Sequence, residues 1–209
     1  QEPTVRVRAV YGASNELADH LLSGAPGDLL VSAEAAELDR LEAAGRLVSR
    51  SRRVVASNSL AVIGPRGDKT THKTALKRLE DLLGKKVQRV ALAEPACPLG
   101  GYSQSYLKAA GVYDKLLAKV LEVDNSRAVL SAVVSGAADA GVAFASDAQR
   151  SDRCRTYFLV PHSQSAALYV AGLIEGGQQP KAARALLEFI TSAAAAKCFR
   201  RHGFLPVKS

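Results

Sequence analysis

The chain has 209 residues, of which 47% are hydrophobic and 23% are charged, and its mean hydropathy is zero. These proportions exclude a disordered or collagen-like chain, and no apolar run approaches the roughly 20 residues that span a bilayer. The formal net charge is +8, but the basic residues are scattered and only 5% of residues are aromatic, which argues against nucleic-acid binding. The sequence begins at Gln1 and contains no methionine, which indicates a processed or cut chain. Removal of a secretory signal would place the protein in the periplasm or elsewhere outside the cytoplasm.

Strand-like and helix-like patterns alternate along the chain. Apolar residues at every second position predict strands, and apolar residues three or four positions apart predict helices. In chain order the patterns predict a strand at 4–10, a helix at 15–22 capped by Ser14 or Asn15, a strand at 28–31, a helix at 33–44, a long strand at 53–64, a helix at 74–83, a strand at 87–93, a helix at 103–110, a strand at 120–123, a helix at 127–135, strands at 140–144, 156–160 and 167–174, and a final helix from 181 to about 201. This alternation is typical of an α/β protein with largely parallel sheets.

The long strand-like run at 53–64 contains a polar triplet, Ser57-Asn58-Ser59, in its middle. A polar interruption at that place suggests that the chain leaves one core and enters another. We therefore predict that residues 1–57 with 166–209 form lobe I and that residues 58–165 form an inserted lobe II. A cleft between two lobes is a common position for a small ligand.

The cysteines and histidines give no sign of a metal site or a catalytic centre. Cys97, Cys154 and Cys198 are far apart, and no Cys or His pair has the spacing of zinc ligands. In an oxidising compartment one disulfide can form, and the spacing does not choose the pair. The four histidines are not placed beside a serine and an acid, and no phosphate-binding or dinucleotide-binding glycine motif occurs. We therefore expect neither an enzyme nor a protein that requires a cofactor. The histidines are His20, His72, His162 and His202.

Three predicted strand-to-helix junctions carry small or hydroxyl-bearing residues, at 11–15, 94–102 and 124–127. The first N–H groups of a helix have no partner inside the helix, and the helix dipole favours an anion beside them. Three such ends facing one cleft would form an oxyanion site built from neutral donors. The alternative is that Asn125 and similar residues only cap their helices.

At these junctions the sequence resembles the periplasmic molybdate-binding proteins of ABC transporters, which are type II periplasmic binding proteins. The matching stretches are Gly12–Ala33, Asn58-Ser59-Leu60, Glu94–Tyr102, Asp139–Ala148 and Arg201-His202-Gly203-Phe204. The resemblance covers nearly the whole chain. It implies a two-lobed α/β fold with a central, mostly parallel sheet in each lobe and a cleft between the lobes.

In that family a tetrahedral oxyanion is held by neutral hydrogen-bond donors, chiefly hydroxyls and backbone amides, with a tyrosine hydroxyl completing the set. The resemblance places a serine ligand at Ser14, amide donors at Leu99 and Ser126, and the tyrosine position at Phe144. Molybdate or tungstate would bind as an oxyanion, so the resemblance implies no metal-ligating residues. The predicted ligand-binding residues are Ser14, Asn15, Leu99, Gly100, Ser126 and Phe144.

The chain departs from the family pattern at three places. Phe144 lacks the tyrosine hydroxyl, and Ser126 replaces an apolar residue and could return a donor. The family also begins with a strand and a helix whose loop carries the first ligand serine, and this sequence matches only from the point after both. Without that unit we expect an open pocket wall and an exposed sheet edge, through which a homodimer could form.

The leading hypothesis is an extracytoplasmic solute-binding protein that captures a small oxyanion and delivers it to the permease of an ABC transporter without any chemical step. One alternative is a family member that no longer binds a small oxyanion and acts as a dimerising or interaction protein. Another is the ligand-sensing domain of a regulator, because such domains share the two-lobed fold.

Overall fold

The computed structural model describes residues 5–66 and 76–207. Within them the chain forms two compact units. Unit 1 comprises residues 5–56, 168–198 and 206–207, and unit 2 comprises residues 57–66, 76–167 and 199–205. The lobes predicted from the sequence differ from these units mainly at residues 199–205, which belong to unit 2.

Helices and strands alternate through most of the described chain. In chain order they are α1 (Ser14–Leu22), β1 (Leu29–Ser32), α2 (Ala36–Ala43), β2 (Arg53–Asn58), β3 (Leu60–Pro65), β4 (Val90–Ala93), α3 (Pro98–Ala109), α4 (Tyr113–Leu116), β5 (Val120–Val123), α5 (Ser126–Val134), β6 (Ala140–Phe144), α6 (Ala145–Arg150), β7 (Cys154–Leu159), α7 (His162–Ser165), β8 (Ala167–Leu173), α8 (Pro180–Ile190) and α9 (Ala193–Arg201). Short 3₁₀ helices lie at Leu79–Leu83 and Leu117–Lys119.

The described strands form two sheets. One has the strand order β1-β8-β2, and the other has the order β5-β4-β6-β3-β7. In the second sheet β4 runs parallel to β5 and β6, whereas β3 runs antiparallel to β6 and β7. The α/β class is as predicted, but the second sheet is mixed rather than mostly parallel, and in the first sheet β1 pairs antiparallel with β8.

The core of unit 1 lies between the β1-β8 ladder and the first two helices. Leu30 and Val170 on the strands pack with Leu38 and Leu41 of α2 and with Leu21 of α1. These apolar residues recur at three- and four-residue spacing on the helices, which gives each helix one face to bury. This packing fixes the position of α1, whose first turn carries two of the predicted ligand residues.

The core of unit 2 surrounds β3, β4 and β6, whose residues are almost all buried. α5 follows β5 and packs against β4 and β6. Gly141 allows this approach, because a Cβ at that position would lie 2.9 Å from the Val129 side chain. The sheet therefore holds the N-terminal ends of α3 and α5 immediately after β4 and β5.

Several element boundaries differ from the predictions. Residues 5–10 form no strand although they alternate as one, and they are exposed and make no backbone hydrogen bond to any described residue. The long strand at 53–64 is divided at Ser59 into β2 and β3. The predicted helix at 103–110 begins earlier, at Pro98, and the final helix is divided between Ile190 and Ala193. The predicted helix at 74–83 falls partly outside the described residues, and its remainder is the 3₁₀ helix at Leu79–Leu83.

Candidate functional site

The N-terminus of α1 carries a buried hydroxyl. Ser14 is the first helical residue, and its Oγ accepts a hydrogen bond of 3.0 Å from the Ala33 N–H. The hydroxyl hydrogen of Ser14 has no acceptor among the described residues, and the N–H groups of Ser14 and Asn15 have none either. Ser14 is therefore held in place through its oxygen and keeps its donor available.

The prediction that Ser14 or Asn15 caps α1 is wrong. The N-cap is Ala13, whose N–H donates to the Glu16 carboxylate at 3.1 Å. The Oδ1 atom of Asn15 is buried without a hydrogen-bond partner in the described part of the chain. The first turn of α1 thus presents unpaired N–H donors together with one carboxylate, Glu16, which opposes an anion at this end.

The N-terminus of α3 offers two backbone donors. Pro98 is its first helical residue and has no N–H, and the N–H of Gly101 is already paired with the Cys97 carbonyl at 3.0 Å. Between them, the N–H groups of Leu99 and Gly100 have no acceptor among the described residues. No acidic residue lies in the first turn of α3, so the dipole at this end is not neutralised from within the helix.

The backbone needs glycine at position 100. A Cβ there would overlap the Glu94 carbonyl and lie 2.6 Å from the Ala93 carbonyl oxygen. Because these atoms belong to the backbone at the end of β4, they cannot move aside as a flexible side chain can. Gly100 therefore lets α3 begin directly against the end of its strand, with both amides at the helix terminus.

At the N-terminus of α5, two backbone N–H groups are paired with a capping side chain and one is unpaired. The Oδ1 of Asn125 accepts hydrogen bonds from Arg127 N–H and Ala128 N–H, both at 3.1 Å. Asn125 therefore caps α5, which is the alternative to anion binding given in the sequence analysis for this residue. The N–H of Ser126 is left with no acceptor among the described residues, and its hydroxyl has none either.

Phe144 ends β6 and is the N-cap residue of α6. It is 5% exposed, and its ring packs edge-to-face against Tyr102 of α3 with 6.4 Å between ring centroids. The contact joins the end of β6 to the first turns of α3, which carry the amides of Leu99 and Gly100. Where the family resemblance implies a hydroxyl, this chain therefore has an aromatic hydrocarbon surface.

Two carboxyl groups near these helix ends have altered pKa values. Burial raises the pKa of Asp147, in the first turn of α6, and the neighbouring Arg150 and Arg127 partly oppose this shift. In unit 1, burial raises the pKa of Glu34, and the nearby Glu37 carboxylate adds to the effect. Both shifts disfavour negative charge next to the predicted ligand residues.

Sequence reasoning missed a buried polar network in unit 2. The Nδ2 of Asn58, which is fully buried, donates to the Ser146 hydroxyl at 2.8 Å, and its Oδ1 accepts from the Ser59 N–H at 3.0 Å. Ser57 is hydrogen-bonded to the His162 ring at 2.6 Å. The sequence feature that could have indicated this network is the polar triplet Ser57-Asn58-Ser59 inside an apolar run. The network fixes the turn from Phe144 into α6.

The cysteines and histidines that the structure describes form neither a metal site nor a disulfide. None of the three cysteines, all of which the structure describes, forms a disulfide, and Cys97 and Cys154 are buried. His20 lies in the last turn of α1, His202 follows α9, and His72 lies outside the described residues. Among the residues that the structure describes, no cluster of His, Cys, Asp and Glu is suited to hold a metal ion. In that same part of the chain, no helix combines the length and apolarity that crossing a membrane requires.

Comparison with known proteins identifies the family. The family model for bacterial extracellular solute-binding proteins matches residues 1–205. The chain belongs to this family. One member of similar sequence is the molybdate-binding protein ModA of Mycobacterium tuberculosis, which is 27% identical over 203 residues, or 97% of this chain and 74% of that protein. Another is the molybdate-binding protein ModA of Escherichia coli K12, which is 27% identical over 214 residues, or 98% of this chain and 80% of that protein.

A solved structure supports the same assignment of the fold. The periplasmic molybdate-binding protein of Azotobacter vinelandii aligns with this solute-binding protein at a TM-score of 0.79 and 20% identity, over 94% of this chain and 86% of that chain. At this identity the likeness shows the shared fold. The predicted type II periplasmic-binding-protein class is thereby confirmed, as is the resemblance to molybdate-binding proteins.

Proposed function

We propose that this solute-binding protein captures a small oxyanion, with molybdate and tungstate as the first candidates, and delivers it to the permease of an ABC transporter. The observation that carries the proposal is the set of unpaired backbone N–H groups at the N-termini of α3 and α5. Leu99, Gly100 and Ser126 each keep an amide donor, although neighbouring amides in the same turns are paired. Donors of this kind suit an anion that accepts many hydrogen bonds at once.

Neutral donors also explain how such a protein could bind an anion reversibly. An amide N–H bonded to an anion forms a charge-assisted hydrogen bond without bringing a full opposite charge into the site. No acidic residue occupies the first turn of α3 or α5, and Arg127 adds positive charge at the start of α5. In unit 1 we also propose Ser14, whose oxygen is already engaged, as a hydroxyl donor to an anion. Nothing in this donor set needs a catalytic group, so the proposed function is capture and delivery without a chemical step.

The proposed location is outside the cytoplasm, in keeping with the description of the family as extracellular. A ligand handed to a membrane permease must be bound tightly enough to be captured and weakly enough to be released. The proposed donors, each contributing a separable hydrogen bond, allow that balance to be set by their number.

One observation favours an interaction function as the second candidate. Phe144 offers no hydroxyl, so a family member with this residue could have lost oxyanion binding and act through a surface. Val31 lies on β1 at the edge of the described β1-β8-β2 sheet and is 42% exposed. Light scattering that shows a homodimer, dissociated by Val31→Lys and unaffected by Leu117→Lys on unit 2, would favour this candidate. A monomer at all concentrations would exclude dimerisation.

Isothermal titration calorimetry with molybdate, tungstate, sulfate and phosphate tests the proposed function. We expect saturable one-to-one binding of at least one of these anions. Ser14→Ala, which removes the hydroxyl donor, should weaken that binding, whereas Ser23→Ala at the opposite end of α1 should not. Absence of binding by all four anions to the folded protein would contradict the proposal.

A further inference from the structure

A polar cavity of about 260 Å³ lies in unit 1, away from the N-terminus of α1. It is lined by the loop 24–27 that follows α1, by Arg46 after α2, and by residues 174–176 and 178 after β8. Gly24 and Gly176 have φ values of 95° and 74°, which few other residues adopt, so the two loops are shaped by their glycines. None of the residues predicted from the sequence as ligands lines this cavity.

Among the described residues, Arg46 is the one arginine or lysine that lines this cavity, and none of them pairs with its side chain. Its guanidinium makes no hydrogen bond or ion pair to any described residue, and its Nε atom is buried. Its backbone is fully used, since its N–H donates to the Leu41 carbonyl at 2.8 Å and its carbonyl accepts from Glu175 N–H at 2.9 Å. Arg46 as a whole is only partly buried, but a buried Nε–H without an acceptor is costly, so the arrangement calls for either water or a bound anion at the guanidinium.

The nearby helix ends do not account for this arginine. An arginine after a helix can bond to the last carbonyls of that helix. Here backbone amides already occupy those carbonyls: Ala25 N–H donates to His20 at 2.9 Å, and Gly45 N–H donates to Glu42 at 3.0 Å. The Arg46 guanidinium bonds to none of them, so it is not serving as a cap.

The cavity also holds more unpaired donors than its single carboxylate can satisfy. The N–H groups of Gly27, Gly176 and Gln178 have no acceptor within the described residues. Glu175 lines the cavity, but it is exposed and forms no ion pair with Arg46 in the described structure. The excess of donors around a fixed guanidinium gives the cavity the chemistry of an anion site.

We propose that this cavity is a second anion site, distinct from the proposed transport site, which binds a small carboxylate or phosphate through the Arg46 guanidinium. The planar guanidinium presents two parallel N–H groups that match two oxygens of either anion. The cavity volume of 260 Å³ admits an anion of the size of phosphate or acetate with its hydrating water.

Amide-resolved NMR tests this site. Inorganic phosphate and, separately, acetate are titrated into the ¹⁵N-labelled chain while the amide signals of Gly27, Gly176 and Gln178 are followed. We expect saturable shifts of these signals with at least one of the two anions. Arg46→Gln should weaken the affinity by about tenfold or more, because one charge-assisted hydrogen-bonded group is lost.

Two further variants test whether binding requires the guanidinium group itself or only a positive charge in unit 1. Arg46→Lys keeps the charge and the packing stem but loses the paired N–H groups, so it should bind more weakly than the wild type. Arg50→Gln removes an exposed arginine of the same unit outside the cavity and should bind as the wild type does. Equal affinities in the wild type, Arg46→Lys and Arg46→Gln, or shifts that never saturate, would overturn the proposal and leave water as the occupant. Molybdate titration of the same samples, read at the amide of Ser126, reports the transport site separately.

Discussion

The N-termini of α1 and α5 differ in which groups accept hydrogen bonds from their first N–H groups. α5 has an asparagine cap that pairs two amides and leaves Ser126 N–H unpaired, with Arg127 beside it. α1 has no side-chain cap, and the carboxylate of Glu16 pairs Ala13 N–H while a buried serine hydroxyl supplies the additional donor. The first turn of α5 therefore contains a positive side chain and no acidic one, whereas the first turn of α1 carries the negative charge of Glu16. We therefore expect the α5 end to bind an anion more strongly than the α1 end does.

The largest expected effect is at Gly100 in unit 2. Gly100→Ala places a Cβ against the Glu94 and Ala93 carbonyls, so the start of α3 must move away from the end of β4. We expect a loss of about 1–3 kcal/mol in the free energy of unfolding, together with loss of oxyanion binding. Thermal unfolding and calorimetry measure the two effects. The matched control is Gly101→Ala, where an added Cβ would lie 3.7 Å from the Pro95 carbonyl oxygen, an ordinary van der Waals contact. If a folded Gly100→Ala protein bound the oxyanion with unchanged affinity, α3 would not be part of the site.

Ser126→Pro tests the single unpaired amide of α5. Position 126 is the first helical residue, where proline is well tolerated, and Asn125 before it is extended as a residue preceding proline should be. The variant loses the N–H donor together with the serine hydroxyl, and we expect the loss of the N–H to raise the oxyanion dissociation constant about tenfold with little change in melting temperature. Ser126→Ala is the control, because it keeps the amide and removes the hydroxyl. If Ser126→Ala weakens binding as much as Ser126→Pro does, the hydroxyl and not the amide is the donor.

Phe144→Tyr restores the hydroxyl that the family resemblance implies. If the ring faces the anion, the new donor should lower the molybdate dissociation constant by about tenfold in calorimetry. Phe189→Tyr adds the same hydroxyl on an exposed position of α8 and should change nothing. A Phe144→Tyr protein that binds no better, although it unfolds at the wild-type temperature, would show that this aromatic contact with Tyr102 serves packing alone.

The smallest expected effect is at Glu16 in unit 1. Glu16→Gln keeps an oxygen that can accept from Ala13 N–H and removes the negative charge from the first turn of α1. We expect about a twofold gain in oxyanion affinity at low salt, which disappears as the ionic strength rises. Affinities measured at two salt concentrations check this. A gain that persists at high salt would mean that Glu16 acts by contact and not by charge.

Much of the fold could be predicted because local patterns and tertiary packing agree. The strands at 120–123 and 140–144 match the structure residue for residue, since both are short apolar runs bounded by polar or helix-starting residues. The pattern misleads at 5–10, where Val5 and Val7 alternate with arginines but the described chain offers no pairing strand. The sequence pattern did not predict that the final helix is interrupted after Ile190, because the residues that follow are alanine-rich and favour a helix. There the Thr191 hydroxyl bonds to the Leu187 and Glu188 carbonyls and ends α8.

The candidate site was predictable only in part. Sequence position indicates which residues begin helices, and the resemblance names Leu99 and Ser126 among them. The pattern cannot say which amides are already paired, since that depends on whether Asn125 turns its side chain onto the helix. Nor can it reveal that no described residue pairs with the Arg46 side chain, because that follows from how three separate loops meet.

The most direct test of the central claim is an amide-resolved NMR titration of the ¹⁵N-labelled protein with molybdate. The account predicts saturable shifts that are largest at the amides of Leu99, Gly100 and Ser126, with smaller shifts at Arg127 and Ala128, whose amides Asn125 already holds. Shifts of equal size along the whole first turn of α5, or shifts confined to exposed arginines away from these helix ends, would contradict it.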